Sequence, residues 1–451
     1  MTIDNNKTKI NPLMKKTFLA IAFLTTALVS LNAQTNTLAK LIERDYSGRS
    51  DSLLNTFTGQ FLNRASGIFY AIPTSNPNAR NESATLYWQQ AHALDPIIYA
   101  YQRIKDTDAT RARFYKQTMQ RWYNSHANNW YSKPGDATGF YNTFTDDMCW
   151  ICLTLIHISE ALEDDTYADT ARTIFDEYIL PRGSWNDGYF SLPWKDDGSG
   201  PNACTNAPGS LVASKLYERY NESTYLEAAK NIYAYQANEM RQHLNNDGRV
   251  EEPPLTYTQG TFGEAARYLY HLTGQTEYKN MASKVLYYAI SSTRCTYQGL
   301  LRNEGNSMDQ SIFKAVLIPY LVNFVLDESM SATYKRPIVN FLQKNANALW
   351  SNLNLEAYPK TFCSYYWGEA FNEETTPSMG AMASGVSLME NTARMALALT
   401  GTANSIDDVL QPNTNQPEQL YNAAGQPLKH IQKGLNIKKQ QDGSTKKVFK
   451  I

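Results

Sequence analysis

Apolar positions recur along most of the chain at the three-to-four spacing of amphipathic helices, interrupted by short polar turns and by longer stretches rich in Gly, Pro, Asn and aromatic residues. Period and capping residues predict twelve helices, at about 48–63, 85–104, 108–124, 146–162, 165–179, 207–220, 223–243, 259–273, 276–292, 308–327, 331–350 and 378–400. Three segments repeat one pattern, a polar turn, then Tyr, then Ala four residues later: EDDTYADTA from Glu163, NESTYLEAA from Asn221 and GQTEYKNMA from Gly274. KDTDATRARF from Lys105 is a looser copy. Such spacing sets Tyr and Ala on one packing face, and its repetition indicates stacked helical hairpins.

The connections alternate in length. Those after the even-numbered predicted helices are a few residues, whereas those before them (125–145, 180–206, 244–258, 293–307, 351–377) are long. Antiparallel packing then gathers short turns at one end and long loops at the other, where function concentrates. Six hairpins closing on themselves give an all-α fold, an (α/α)6 barrel over residues 34–402. An open solenoid would produce the same local pattern.

This alternation sorts the Asp-Asp pairs. Asp164/Asp165 fall in a short turn, Asp407/Asp408 lie beyond the barrel, and Asp196/Asp197 sit in SLPWKDDGSG, a Gly-rich loop suited to a turn or a sugar contact. Asp146 and Asp147, within YNTFTDDMCWICLTLIHISEAL, stand at the long-loop end on the start of an inner-ring helix. Thr145 is the expected N-cap, and the helix N-terminus favours negative charge beside it. Phe140, Tyr141, Phe144 and Trp150 surround the pair in sequence. Acidic residues are common at helix starts, so capping and chemistry both explain the pair at this point.

A formal charge of -1 supplies no basic surplus for nucleic acid or an anionic membrane. The 30 tyrosines and 8 tryptophans are the unusual feature, since rings with a polar edge suit sugar faces as well as core packing. Five scattered cysteines predict no disulfide scaffold, and Cys149 and Cys152, a CxxC inside an apolar helix, are read as small buried residues. The histidines form no ligand spacing, so neither metal nor cofactor is expected, and the protein is expected to be a monomer. Met14-Lys15-Lys16, an apolar run from Phe18 to Leu31 and a small-residue end at Ala33 have the layout of a secretory signal peptide over 1–33, with Met14 as its start. The run is too short to span a membrane, and an exported protein is expected, periplasmic, on the cell surface or secreted.

Amides, hydroxyls and rings dominate the other long-loop segments: YWQQAHALD at 87–95, NACTNAPGS at 202–210, LTYTQGTFGEAARYLY at 255–270 and NEGNSMDQSIFKAV at 303–316. They suit a ligand with many hydroxyls and little charge, and Trp88 is a candidate stacking ring. Structural alternatives stand beside several: Asn206 as a helix cap, Gly260 as a close-packing position, Lys314 as a surface lysine with its stem laid down.

TDDMCWICLTLIHISEALEDDTYADTARTIFD, NACTNAPGSLVASKLYERYNESTYLEAA, LTYTQGTFGEAARYLYHLTGQTEYKNMA and DQSIFKAV, in that order between about Tyr87 and Tyr320, resemble glycoside hydrolase family 76, the bacterial endo-α-1,6-mannanases. The resemblance implies an (α/α)6 barrel and a retaining mechanism on α-1,6-linked mannan, with Asp146 as nucleophile and Asp147 as acid/base. It also implies that Asn206, Tyr257, Gln259, Gly260 and Lys314 line the sugar groove. Met148, after the pair, and GYFSLPWK, after the third hairpin, depart from the family pattern. Neighbouring helix positions point about 100° apart and can hold carboxyls near the roughly 5 Å that double displacement needs. Asp146 at the helix terminus is expected to stay ionised, and Asp147, beside that charge and Trp150, to stay protonated.

Two other readings fit the same residues: a non-catalytic glycan-binding barrel, in which the aspartates only cap, and a mannan transglycosidase. An unsaturated uronyl hydrolase or epimerase would favour basic or histidine residues in the mouth. Residues 403–419, rich in Asn, Pro and Gln, read as a linker. Residues 420–451 read as short strands with Gly-containing turns, similar to the carboxy-terminal sorting tails of some bacterial secretion systems or else a small β appendage.

Overall fold

The computed structural model describes residues 37–79, 86–127, 139–239, 247–250 and 255–404, and four strands beyond them. The expected leader at 1–33 and most of the linker lie outside the described residues. Twelve long helices follow one another: α1 Ser47–Gln60, α2 Tyr87–Ile104, α3 Ala109–Ala127, α4 Thr145–Leu162, α5 Asp165–Ile174, α6 Ala203–Tyr220, α7 Ser223–Asn238, α8 Thr256–Thr273, α9 Thr276–Ser291, α10 Met308–Leu326, α11 Ala332–Ser351 and α12 Met379–Asn404. α5 is shorter than expected, continuing into a π turn at Phe175–Ile179 and a 3-10 turn at Leu180–Arg182. The long loops carry two small hairpins, β1 Ser184–Asn186 with β2 Tyr189–Ser191, and β3 Thr296–Tyr297 with β4 Leu300–Leu301.

The short turns are built alike. After α4, α6 and α8, Glu163, Asn221 and Gly274 take left-handed conformations (φ 56°, 54° and 72°), and each N–H bonds back to the carbonyl four residues earlier. In the helices that follow, Tyr167 with Ala171 and Tyr225 with Ala229 are buried, as is Ala282 beside a half-buried Tyr278. The repeated pattern is therefore the packing face of the outer helices.

The even-numbered helices form the inner ring. α8 meets α10 so closely that a Cβ on Gly260 would lie 2.8 Å from the Leu317 Cα. Ser384 and Ser387 of α12 donate to the Ser311 and Ala315 carbonyls of α10 at 2.7 and 3.0 Å. On its other side α12 returns to the start of the barrel: Arg103 of α2 donates through Nε to Glu390 at 2.8 Å and through NH2 to Asp51 of α1 at 2.7 Å. Those bonds close the ring, which an open solenoid would not. α10 is, among the described residues, the one helix long and apolar enough to cross a membrane, and 78% of it is buried in the barrel.

At the short-turn mouth a polar cavity of about 400 Å³ is lined from all six inner helices, by Tyr99, His157, Lys215, Arg267, Asn323 and Arg394 among others. Lys215 pairs with Glu160 at 3.0 Å, and Arg267 with Glu264 and Asp327 at 2.7 and 2.8 Å. Cations there offset the negative ends of the inner-helix dipoles, leaving the positive ends at the long-loop mouth.

The chain divides into two compact units, Met1–Leu399 and Thr400–Ile451. In the second, β5 Gln419–Asn422, β6 Pro427–Leu428, β7 Gly434–Lys439 and β8 Thr445–Lys450 form an antiparallel sheet in the order β6-β5-β7-β8.

Candidate active site

The start of α4 is fixed by its neighbours. The N-cap is Phe144, with no side-chain cap, in place of the expected Thr145. Thr145 is instead the first helical residue: its N–H donates to the Trp194 carbonyl at 2.8 Å and its hydroxyl accepts from Arg182 at 3.1 Å. Arg182 also donates to the Asn142 and Thr143 carbonyls at 2.9 Å. The loop after α5 thus clamps the segment that presents the two aspartates.

Asp146 and Asp147 lie in a cleft of about 650 Å³ at the long-loop mouth. Asp146 Oδ2 accepts from the Cys204 thiol at 3.2 Å, while its Oδ1 is buried without a hydrogen-bond partner among the described residues. Burial raises the Asp146 carboxyl to about 6, against the expectation that the helix terminus would hold it low, although the Cys204 hydrogen bond restrains the rise. Asp147 accepts from Asn142 Nδ2 at 2.9 Å. Burial first, then the charges of Asp146 and Asp309, lift its carboxyl well above the usual range. Burial raises both neighbouring carboxyls, and the pair titrates as one coupled unit.

Rings make the rest of the cleft. Trp88 stacks on Phe313 (5.9 Å, 23°), Phe313 on Tyr257 (4.2 Å, 11°), and Trp150 lies 6.4 Å from Tyr257. Phe144 and Trp194 meet edge to face at 5.3 Å on the loop side, with the Lys195 ammonium over both. Flat apolar faces beside carboxylates suit the ring faces and hydroxyls of a sugar.

Of the expected residues, the cleft brings together Asp146, Asp147, Trp88 and Tyr257. The other four sit behind its lining. Asn206 is fully buried and spends its amide on both backbone groups of Leu192 (2.9 and 3.0 Å) and the Asn202 carbonyl (2.8 Å), so it straps the loop to α6. Gln259 straps another loop, accepting from the Val250 N–H and donating to the Gly248 and Val285 carbonyls at 3.1 and 3.0 Å. Gly260 serves the close approach of α8 and α10. Lys314 is neither a groove residue nor a surface lysine: it is 2% exposed, donates to the Tyr365 carbonyl at 2.6 Å and lies over the Trp367 ring at 4.2 Å. Burial lowers its ammonium to about 8, with Glu304 countering the fall.

The cleft also holds residues that sequence reasoning did not single out, chiefly Asp309, Phe313, Trp194 and Cys204. Asp309 obeys the rule that identified Asp146 and Asp147, an acid in the first turn of an inner helix at the long-loop end. Cys204 reaches the site because α6 begins at Ala203, capped by the Asn202 side chain on the Thr205 N–H at 3.0 Å, earlier than the expected residue 207. Cys149 and Cys152 are buried free thiols. No metal-holding group of three or more His, Cys, Asp or Glu residues occurs among the described residues.

The model of Glycosyl hydrolase family 76 matches residues 50–403. No curated protein matches the chain. Among solved structures, an inactive variant of the α-1,6-mannanase GH76A of Salegentibacter sp. HEL1_6, with two adjacent aspartates changed to alanine and α-1,6-mannotetrose bound, is similar at 24% identity. It covers 78% of this chain and 100% of that one, with a TM-score of 0.65. A protein of Listeria innocua is similar at 23% identity, over 78% and 98% of the two chains (TM-score 0.64). A family 76 glycoside hydrolase (mannosidase) of Bacteroides thetaiotaomicron is similar at 17%, over 80% and 99% (TM-score 0.60). At these identities the structural likeness concerns the fold.

Proposed function

The chain belongs to Glycosyl hydrolase family 76 and is a glycoside hydrolase, and from that premise we propose that it cleaves α-1,6-mannosidic linkages in the mannan backbone by retaining double displacement. The observation that carries the mechanism is the pair itself: two consecutive carboxyls in one ring-lined cleft, both raised above the usual carboxylate range by burial. The Salegentibacter structure, with its two aspartates replaced and a mannose oligomer bound, supports the substrate and the pair.

Asp147 gives its proton to the glycosidic oxygen as the bond to the anomeric carbon breaks, and Asp146 attacks that carbon to form a glycosyl ester. Water then enters, Asp147 takes its proton, and the resulting hydroxide displaces the ester with the original configuration restored. The leader-like run from Phe18 to Leu31 favours action outside the cytoplasm, where such a polymer is met.

Debranched α-1,6-mannan incubated with the protein should yield short mannose oligomers with new reducing ends. Binding of the polymer without cutting would overturn the proposed substrate, and products longer than the starting chains would identify a transglycosidase. Because Asp146 must be ionised and Asp147 protonated, the rate rises with pH through about 6 and falls again beyond the higher apparent value of the pair. A rate independent of pH on the acid side would contradict the need for an ionised Asp146.

A further inference from the structure

Asp309 is the third carboxylate of the cleft, in the first turn of α10 and facing the pair from another helix. It accepts from the Trp88 indole N–H at 3.0 Å and from the Gln89 side-chain amide, both on the same oxygen. Among the described residues no donor meets its second oxygen. Through these two hydrogen bonds α10 holds the first turn of α2, and the held indole is the one stacked on Phe313, four residues further along α10.

We infer that Asp309 is a positioning residue of this site: one oxygen fixes the Trp88 platform, and the carboxylate shares the cleft with Asp147. The inference rests on the mechanism proposed above and adds a residue to it. The titratable and charged groups around Asp147 are few. Asp146 comes from its own helix, Cys204 from α6, Tyr257 from α8 and Asp309 from α10. His92 of α2 packs against the Trp88 and Trp150 rings, and on the loop side Arg182 is bonded to backbone carbonyls and Lys195 lies over Phe144 and Trp194. The charges acting on Asp147 are those of Asp146 and Asp309, both negative, so each holds a proton on the acid. Asp146 loses its charge on forming the glycosyl ester. Asp309 forms no ester, and its carboxylate beside Asp147 strengthens that group as the base that must next take a proton from water.

Asp309→Asn removes the charge while leaving a carbonyl oxygen for the Trp88 and Gln89 donors. Its alkaline limb of hydrolysis should move to lower pH by about half a unit or more. Trp88→Ala should raise KM and leave that limb in place, and Asp309→Ala should do both. The same displacement is readable without turnover, as the titration of the Asp147 carboxyl carbon in 13C-aspartate-labelled protein, assigned with Asp147→Asn. An alkaline limb or a carbon titration unmoved in Asp309→Asn overturns the inference. Failure of the mannanase proposal would look different, as wild-type protein that leaves mannan uncut while the carbon titration still answers the question about Asp309.

Discussion

Asp146→Ala should lose about four orders of magnitude or more in turnover of α-1,6-mannan with its fold intact, because it removes the group proposed to form the glycosyl ester. Asp147→Ala should lose about 10²–10⁴-fold on the same polymer, whose sugar leaving group needs a proton. The two losses separate on an aryl α-mannoside with an acidic phenol. There the first step needs little protonation, so Asp147→Ala forms its glycosyl ester and stalls. Azide, which needs no base, should then release α-mannosyl azide from Asp147→Ala. In Asp146→Ala azide fills the space of the missing carboxylate and gives the β-azide. The same anomer from both variants, or no rescue in either, would contradict the assignment of roles. The structural reason for expecting two phenotypes is that burial raises both carboxyls, while the charges of Asp146 and Asp309 add to the rise at Asp147 and the Cys204 hydrogen bond restrains it at Asp146.

The second large effect concerns the seam that closes the barrel. Arg103→Met should destabilise the protein by about 3–5 kcal/mol, since Glu390 is fully buried and Arg103 is its cationic partner. Ser50 donates at 2.5 Å to Glu390 Oε2, which also accepts from Arg103 at 2.9 Å, and cannot supply the missing charge. Burial already lifts the Glu390 carboxyl above its usual range, and the Arg103 hydrogen bond and charge restrain it. Without Arg103 the folded-state value rises further above the unfolded value of about 4.3. The folded variant then binds the proton more tightly than the unfolded chain, so its deficit is largest above the raised value and shrinks as pH falls through it. Thermal unfolding midpoints of both proteins across pH 5 to 8 should show the gap narrowing toward acid. A constant gap would mean that Glu390 is not the group left uncompensated.

The helical ring and its polarity were legible because they depend on local signals. Turn residues such as Asn221 and Gly274, and the Tyr and Ala that follow, mark each hairpin wherever the chain later goes. The position of Asp146 and Asp147 at the long-loop mouth was legible for the same reason, as acids at the start of an inner helix. Asn206 and Gln259 were not, since an amide at that end of the barrel serves a sugar or a loop equally well. What decides between them is a backbone partner supplied by folding, Leu192 for one and Val250 for the other. Lys314 misleads in the opposite direction, because its stem suits the surface and only the Tyr365 carbonyl and the Trp367 ring reveal that it is buried. Thr145 has the chemistry of a cap, yet Arg182 and the Trp194 carbonyl, contributed by a distant loop, occupy its polar groups.

The most direct test of the account is the configuration of the first product. Proton NMR of the reducing end newly formed from a short α-1,6-mannan oligomer, recorded before mutarotation, should show the α-anomer first, as two displacements at one carbon require. The β-anomer appearing first would mean a single displacement by water, and Asp146 would no longer be the nucleophile.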